Sequence, residues 1–346
     1  MKVSVIVPAR NEEASLGACL KSLAGQSGVS FEIIVVDDHS TDRTREVAES
    51  YAGVRVIEAG ELPEGWTGKN NAVASGAREA RGEWLLLTDA DTVHGEGSLE
   101  RAMEEAKENG VEFLSYSPEQ MALTFWEKAT LPVVFAELAR EYPPSKVSDA
   151  GSAIAAANGQ YILVKREAYD AVGGHAAVAG EILEDVALAR AMKASGRKIR
   201  FRYGADAVRT RMYRNFRQLR DGWSKNLALL FPRPAWLAAK TLGWWAVPWV
   251  LVLLEIAGVL RSRAWLVAAA VGFGWLVWRI GKAKFAVGMN VRGAIFGVPM
   301  FAYLLLRSKN AHARGKVSWK GRTYENKEQP RREETRRMAV PAGRAS

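Results

Sequence analysis

Residues 84–91 read WLLLTDAD, a short apolar run followed at once by two aspartates one residue apart. Such a run, bounded by turn residues, predicts a buried β-strand with the aspartates directly after its carboxyl end. Residues 31–38, FEIIVVDD, repeat this arrangement. Because ligands of open α/β sheets bind at the carboxyl ends of the strands, the two pairs together predict a binding site at that edge.

The segments around these runs alternate between strand-like and helix-like patterns. Strands are predicted over residues 2–7, 31–36, 54–57 and 84–87, and helices over residues 13–23, 41–51 and 70–81. Strands that alternate with helices favour parallel pairing through right-handed crossovers. The fold class predicted is therefore α/β, an open and mostly parallel sheet flanked by helices.

A single aspartate after a strand is weak evidence, because caps and turns also favour that residue. The recurrence of acidic pairs at one edge is stronger. The sequence holds no GxGxxG after its first strand and no GxxxxGK[ST], which disfavours a common dinucleotide fold and a P-loop. The DAD spacing instead suits a divalent cation, Mg²⁺ or Mn²⁺, held by carboxylates and a substrate diphosphate.

Charge is distributed unevenly along the 346 residues, whose net charge is +10. Residues 1–199 carry 31 acidic and 20 basic groups, whereas residues 200–346 carry 7 acidic and 28 basic groups. A nucleic-acid reader would place its basic groups on the folded domain, so the pattern fits anionic lipid heads better. The single cysteine, Cys19, permits no internal disulfide, and a reduced compartment is the default.

Three apolar stretches lie in the basic half, at residues 241–260, 264–278 and 285–306. About twenty apolar residues cross a bilayer core, so we expect two or three membrane spans, although a buried helical subdomain is the alternative. The predicted organisation is a catalytic domain at 1–233, membrane helices at 234–307, and a basic, partly disordered tail at 308–346. A multi-pass protein of the cell membrane with a cytoplasmic catalytic domain is expected.

Several ordered motifs resemble the family 2 glycosyltransferases, whose nucleotide-binding domain has the GT-A fold. They are VPARNEE at 7–13, VVDDHSTD at 35–42, GKNNA at 68–72, ARGEW at 80–84, TDAD at 88–91, VGGH at 172–175 and LED at 183–185. GWTGK at 65–69 and WKGRTY at 319–324 resemble the membrane-bound branch that includes carotenoid- and hopanoid-associated enzymes.

The resemblance implies a role for each matching residue. Asp185 would be the catalytic base, with Glu184 beside it. Asp91 would be a metal ligand, and Asp89 would face the ribose and also contribute to the metal site. The residues implied at the nucleotide are Pro8, Ala9, Arg10, Glu12, Asp37, Asp38, Lys69 and Asp89. Those implied on the acceptor side are His175, Gln218, Arg220 and Trp223. Taken alone, Glu184 and Asp185 have a simpler explanation, because acidic residues at the N-terminal end of a helix interact favourably with the helix dipole.

The sequence departs from the family's chain-extending synthases. Their Q-x-x-R-W pattern is not met, since residues 218–223 read QLRDGW, which favours transfer of one sugar. A helix predicted over residues 214–230 has one apolar face, and its arginines either lie at the bilayer surface or contact the donor diphosphate. The arginines of this helix can have both roles.

The predicted function is transfer of one sugar, with inversion, from a nucleotide-diphosphate sugar, a UDP-linked one by resemblance, to an isoprenoid-type lipid. A divalent cation and the membrane complete the expected partners, and nucleic acid is not among them. The alternative is a catalytically silent membrane scaffold that binds nucleotide sugars.

Overall fold

A seven-stranded sheet forms the centre of the N-terminal half in the computed structural model, which describes residues 2–315, 317–319 and 322–324. Its order is β3-β2-β1-β4-β8-β6-β9, and every pairing is parallel except those that β8 makes with β4 and β6. The strands are β1 Val3–Ala9, β2 Phe31–Asp37, β3 Val54–Glu58, β4 Trp84–Leu87, β5 Thr92–His94, β6 Phe113–Ser117, β7 Glu119–Gln120, β8 Ile162–Lys165, β9 Ile199–Tyr203, β10 Val208–Thr210, β11 Val317–Trp319 and β12 Arg322–Tyr324.

Helices cover both faces of this sheet. Alternate residues of each strand serve opposite faces, so Val5 packs with one core cluster and Ile6 with the other. The helices are α1 Leu16–Ala24, α2 Thr44–Glu49, α3 Gly68–Glu79, α4 Ser98–Glu108, α5 Phe125–Glu141, α6 Pro144–Ser148, α7 Arg166–Ala171, α8 Glu184–Ala194, α9 Phe216–Leu230, α10 Pro234–Ile256, α11 Ala264–Gly281, α12 Val287–Arg292 and α13 Val298–Ala313. The predicted fold class is confirmed.

The second helix is shorter than the predicted 41–51 because its N-terminal loop is held by side chains. The Oδ1 atom of Asp37 accepts a hydrogen bond from the Ser40 backbone N at 3.2 Å, and the Oδ1 atom of Asp42 accepts one from the Thr44 backbone N at 3.0 Å. Such local bonds compete with helical ones, so α2 begins only at Thr44.

A second sheet of three short strands, β5-β10-β7, lies beside the large one. Strand β10 is antiparallel to β5 and parallel to β7. Strands of two or three residues are too short for hydrophobic periodicity to predict them from sequence. The sheet nevertheless fixes the position of the segment that follows the DAD motif, because β5 begins directly after it.

Among the residues that the structure describes, three helical segments are long and apolar enough to cross a membrane: Pro234–Ile256, Ala264–Gly281 and Val287–Ala313. The third is a continuous helical segment in which a π-helical turn, Gly293–Gly297, joins α12 to α13. It extends to Ala313, beyond the predicted end of the membrane region at residue 307. Residues 325–346, and with them most of the predicted tail, lie outside the described residues.

The third apolar segment packs directly on the N-terminal half through α5. Gly297 lies so close to the backbone carbonyl of Ala129 that a Cβ atom at position 297 would overlap it. Arg279 of α11 forms an ion pair with Glu137 of α5, both of them buried. A third core cluster therefore joins α5 and α9 to the apolar helices, as Trp223, Phe231 and Phe301 illustrate.

Candidate active site

A cleft opens at the carboxyl ends of β1, β2 and β4. Strand β1 pairs with β2 on one side and β4 on the other, which makes this edge the point where the strand order reverses. The lining residues are Pro8, Ala9, Arg10, Glu12, Asp38, Thr67, Lys69, Ala72, Asp89, Ala90, Asp91, Gln160, Ile182, Glu184, Met212, Tyr213, Gly222, Lys225 and Asn226.

The first wall of the cleft joins the ends of β1 and β2. The Asp38 backbone N donates to the Ala9 carbonyl at 2.8 Å, and the Arg10 Nη1 atom donates to the Asp38 carbonyl at 2.6 Å. The Arg10 guanidinium also lies 3.9 Å from the Asp38 carboxylate. Asp37 lies outside the lining: it is buried at the end of β2, and its carboxylate accepts from the Ser40 backbone N. The Asp37 side chain therefore stabilises the turn that follows β2.

Lys69 is the ionic centre of the cleft and lies in the first turn of α3, which Thr67 caps by accepting a hydrogen bond from the Asn70 backbone N. Its Nζ atom is 2.8 Å from Asp89 Oδ1 and 2.8 Å from Glu184 Oε1. Burial alone would lower the pKa of Lys69, but the two carboxylates outweigh it and raise the pKa well above its usual value. The ammonium is thus charged at physiological pH.

Glu184 and Asp185 are adjacent carboxyl groups with opposite pKa shifts. Burial and the neighbouring Glu184 charge raise the pKa of Asp185 to about 6, against the lowering effect of Lys69. Burial would also raise the pKa of Glu184, but the Lys69 ion pair lowers it. Neighbouring acids whose environments separate their pKa values are typical of sites that move protons.

Asp185 lies just behind the cleft, in a small cavity whose lining also includes Lys69, Gly159 and His175. Its Oδ2 atom accepts from the Gly159 backbone N at 2.9 Å, and its Oδ1 atom from the Val186 backbone N at 2.8 Å. A Cβ atom on Gly159 would stand 3.0 Å from Lys69 Nζ and 3.6 Å from Asp185 Oδ2. A side chain at position 159 would therefore crowd the Lys69 ammonium, whereas its contact with Asp185 would be of ordinary van der Waals length.

The DAD turn directs two carboxylates into the cleft, since Asp89 and Asp91 both line it. Hydrogen bonds fix its backbone: Thr92 Oγ1 donates to the Asp89 carbonyl at 2.6 Å, and Thr210 Oγ1 donates to the Asp91 carbonyl at 3.2 Å. In the part of the chain that the structure describes, no group of three or more His, Cys, Asp or Glu side chains could hold a metal by itself. Two carboxylates completed by substrate phosphates nevertheless fit Mg²⁺ or Mn²⁺.

His175 lies behind the cleft rather than on its surface. Its Nδ1 atom lies 2.9 Å from the Tyr169 hydroxyl, and burial lowers the pKa of His175 to about 4. The imidazole is therefore neutral at physiological pH, and it is not part of the cleft lining.

Helix α9 presents residues to the cleft that the sequence did not single out. Gln218, Arg220 and Trp223 all lie outside the lining, which instead contains Gly222, Lys225 and Asn226. Gln218 closes the N-terminal turn by accepting from the Arg214 backbone N, Arg220 bonds Asp221 at 2.8 Å, and Trp223 is buried in the third core cluster.

The spacing of the helix explains this difference. Positions 222, 225 and 226 follow the i, i+3, i+4 pattern of one face, and the apolar positions 219, 223 and 227 form the adjacent stripe that packs on the apolar helices. Burial and the nearby charge of Lys69 lower the pKa of Lys225, and the carboxylate of Glu184 opposes them. The helical spacing places Lys225 on one face with Gly222 and Asn226, but only packing against the apolar helices decides that this face meets the cleft.

Comparison with known proteins gives matches over the N-terminal half and over nearly the whole chain. Residues 4–173 match the model of the family described as glycosyl transferase family 2. The chain is 29% identical over 337 residues to the 4,4'-diaponeurosporenoate glycosyltransferase of Staphylococcus aureus strain USA300, covering 93% of this chain and 88% of the relative. The same enzyme from strain MRSA252 matches equally well.

Similar solved structures include the mannosyltransferase PcManGT of Pyrobaculum calidifontis in complex with GDP-Man and Mn²⁺, at 18% identity, 90% and 86% coverage of the two chains, and a TM-score of 0.49. Another is residues 1–349 of S. aureus TarS in complex with UDP-GlcNAc, at 16% identity, 91% and 92% coverage, and a TM-score of 0.44.

Proposed function

Because the chain belongs to glycosyl transferase family 2, we propose that it transfers a single sugar from a nucleotide-diphosphate sugar to a lipid acceptor with inversion at the anomeric carbon. The family that matches the chain and its glycosyltransferase activity are the ones predicted from the sequence motifs. The observation that carries the finer proposal is the convergence of Lys69, Asp89, Asp91 and Glu184 on one cleft, with Asp185 directly behind it and apolar helices packed alongside.

The donor is proposed to lie along the carboxyl ends of β1, β2 and β4. Asp38 and Arg10 would hold the nucleoside end, and the ammonium groups of Lys69 and Lys225 would face the diphosphate. Asp91 and Asp89 would hold a divalent cation, which neutralises charge on the diphosphate when it is bound. A UDP-linked donor remains the expected choice.

Asp185 is proposed as the base that removes the acceptor proton. As the acceptor oxygen forms its bond to the anomeric carbon, the bond to the diphosphate oxygen breaks and the electron pair leaves with the nucleoside diphosphate. The acceptor proton passes to the Asp185 carboxylate, which needs to be ionised beforehand. Because attack and departure occur on opposite faces of the sugar, one such displacement inverts the anomeric configuration.

The acceptor is proposed to be an isoprenoid-type lipid with a hydroxyl or carboxylic acid end. The S. aureus relatives are named for glycosylation of diaponeurosporenoate, and the apolar helices of the present chain adjoin the cleft through α5 and α9. A carboxylic acid held against apolar surface keeps its proton to a higher pH than it does in water, so a base is useful for either acceptor end.

The decisive experiment incubates membranes containing the protein with labelled nucleotide sugars and Mn²⁺, and analyses the lipid extract by mass spectrometry. We expect one new lipid carrying a single hexose, with an anomeric configuration opposite to the donor's by NMR, and no product when EDTA replaces Mn²⁺. A product that retains the donor's configuration, or sugar chains of increasing length, would contradict the proposal.

We also propose that the protein is a multi-pass cell-membrane protein whose catalytic domain faces the cytoplasm, where nucleotide sugars are made. Its three apolar helical segments support membrane association. Protease digestion that removes the catalytic domain from sealed right-side-out vesicles would contradict this orientation.

The rate of transfer is expected to rise with pH through about 6, the raised pKa of Asp185, and to level off above it. Burial raises this pKa by favouring the neutral acid, and only the ionised carboxylate accepts a proton, so activity is lost as pH falls. A profile of kcat/KM between pH 4.5 and pH 8 measures the effect. An acid limb near the ordinary pKa of an exposed aspartate, about 4, would show that Asp185 is not the titrating base.

A further inference from the structure

A second cavity lies between the catalytic domain and the apolar helices, at the carboxyl ends of β6 and β9. Its volume is about 500 Å³, and its lining is mainly apolar. Side chains from α5, β9, α9 and the segment after α11 contribute to it, among them Phe135, Leu138, Tyr142, Phe201, Leu230 and Phe285. This cavity is separate from the polar cleft, although it lies along the same edge of the sheet.

Three segments connect this apolar cavity with the catalytic groups. In the loop before β8, Asn158 lines the cavity, Gly159 bonds Asp185, and Gln160 lines the cleft. In the first turn of α8, Glu184 lines the cleft and Val186 lines the cavity, with Asp185 between them.

Helix α9 gives the third connection. Asn226 lines the cleft and Leu230 lines the cavity. Four residues of α-helix span about 6 Å. The chain neighbours of Asp185 thus line the polar cleft on one side and the apolar cavity on the other, and Asp185 itself lines the small cavity behind the cleft.

The rim of the cavity lies at the end of an apolar helix. Lys282 and Lys284, which follow α11, are part of the lining. The Lys282 Nζ atom lies 4.1 Å from the centroid of the Trp278 ring, and Lys284 Nζ lies 5.7 Å from that of Tyr203. Lysines and aromatic rings in this combination are typical of a membrane–water interface, so the rim is placed where a lipid would enter.

We infer that this cavity binds the hydrocarbon or polyene chain of the acceptor lipid and places the polar end of the lipid beside Asp185. The inference rests on the proposed function, whose acceptor site it specifies. An apolar chain fits the lining, and the two rim lysines match the anionic heads of neighbouring lipids. A lipid held there reaches the donor sugar from the side of the base, whereas the nucleotide occupies the polar cleft.

The test uses the full-length protein in detergent and a palmitic acid that carries a photoactivatable diazirine on its chain. After illumination, peptide mass spectrometry locates the adducts, which we expect on residues 135–142, 201–203 and 282–285. Ala139 lines the cavity and is exposed, so Ala139→Trp fills it without disturbing a buried position. This variant is expected to form about tenfold fewer adducts at these sites.

The matched control is Ala150→Trp, since Ala150 is also exposed but lies outside the cavity lining. Its adducts are expected to equal those of the unmodified protein. Adducts confined to the outer faces of α10 and α11, or equal labelling of the cavity residues in Ala139→Trp, would overturn the inference.

Failure of the inference is distinguishable from failure of the proposed function. If Ala139→Trp makes the lipid product as fast as the unmodified protein at low acceptor concentration, the cavity is not the acceptor site, although the enzyme is a lipid glycosyltransferase. If no lipid product forms with any donor while UDP still binds, the proposed function fails. Labelling at the cavity would then show lipid binding alone, and the cavity would not be an acceptor site.

Discussion

Replacing Asp185 with asparagine is expected to lower kcat for sugar transfer by about a thousandfold, because a positioned general base contributes roughly 10² to 10⁴ in rate. Asparagine keeps the size of the side chain, and its carbonyl oxygen can still accept from the Gly159 backbone N. The amide cannot take up a proton at neutral pH. Steady-state kinetics with the identified donor and lipid measure the change, and calorimetric titration with UDP checks that the donor pocket is unchanged.

The control for this substitution is Asp170→Asn on α7, which is exposed and lies outside the cleft. It removes the same charge from the same domain, and we expect kcat to stay within about twofold of the unmodified enzyme because surface substitutions usually have small effects. Retention of full activity in Asp185→Asn would exclude this residue as the base. Loss of UDP binding in that variant would instead assign Asp185 a role in forming the nucleotide pocket.

Replacing Lys69 with methionine is expected to weaken UDP binding about thirtyfold, which corresponds to roughly 2 kcal/mol for a charge-assisted hydrogen bond. The substitution also leaves Asp89 and Glu184 without the ammonium that both contact at 2.8 Å. Two like charges at the diphosphate position then repel the donor. Calorimetric titration with UDP, in the presence of Mn²⁺, measures the loss.

The same variant is expected to change the pH profile. Lys69 lowers the pKa of Glu184 and Asp185, so its removal raises both. The acid limb of kcat/KM is therefore expected to move to higher pH, and not to lower pH. Lys165→Met serves as the control, since Lys165 pairs with the exposed Glu167 at a distance from the cleft. An unchanged acid limb in Lys69→Met would show that this charge does not act on the base.

The sequence predicted the strands that carry the site because their signals are local. Four β-branched or leucine-rich runs gave strands at nearly the observed positions, and the helix predicted over residues 214–230 agrees with α9 apart from its first two residues. The acidic residues that follow β4 line one cleft as expected, since strand direction alone decides which edge they reach.

Other parts of the site depend on contacts between remote segments, which a pattern does not specify. Asp37 and Asp38 are adjacent, but only Asp38 lines the cleft, because the pleat and the following turn direct the two side chains differently. On α9 the helical period was recognised, yet which face meets the cleft was decided by packing against the apolar helices. The antiparallel position of β8 between β4 and β6 also depends on pairing between segments that are far apart in the sequence.

The tight contact at Gly297 joins the N-terminal half to the third apolar segment. The backbones of α5 and of the π-helical turn touch there without an intervening side chain, so we expect the two segments to move together. In a bilayer whose apolar core is thinner than the length of the third apolar segment, tilting of the helix is one way to keep that segment in the core. We expect such a tilt to move α5 with the apolar segment, so that the acyl-chain length of the surrounding lipids would change the distance between the cleft and the headgroups.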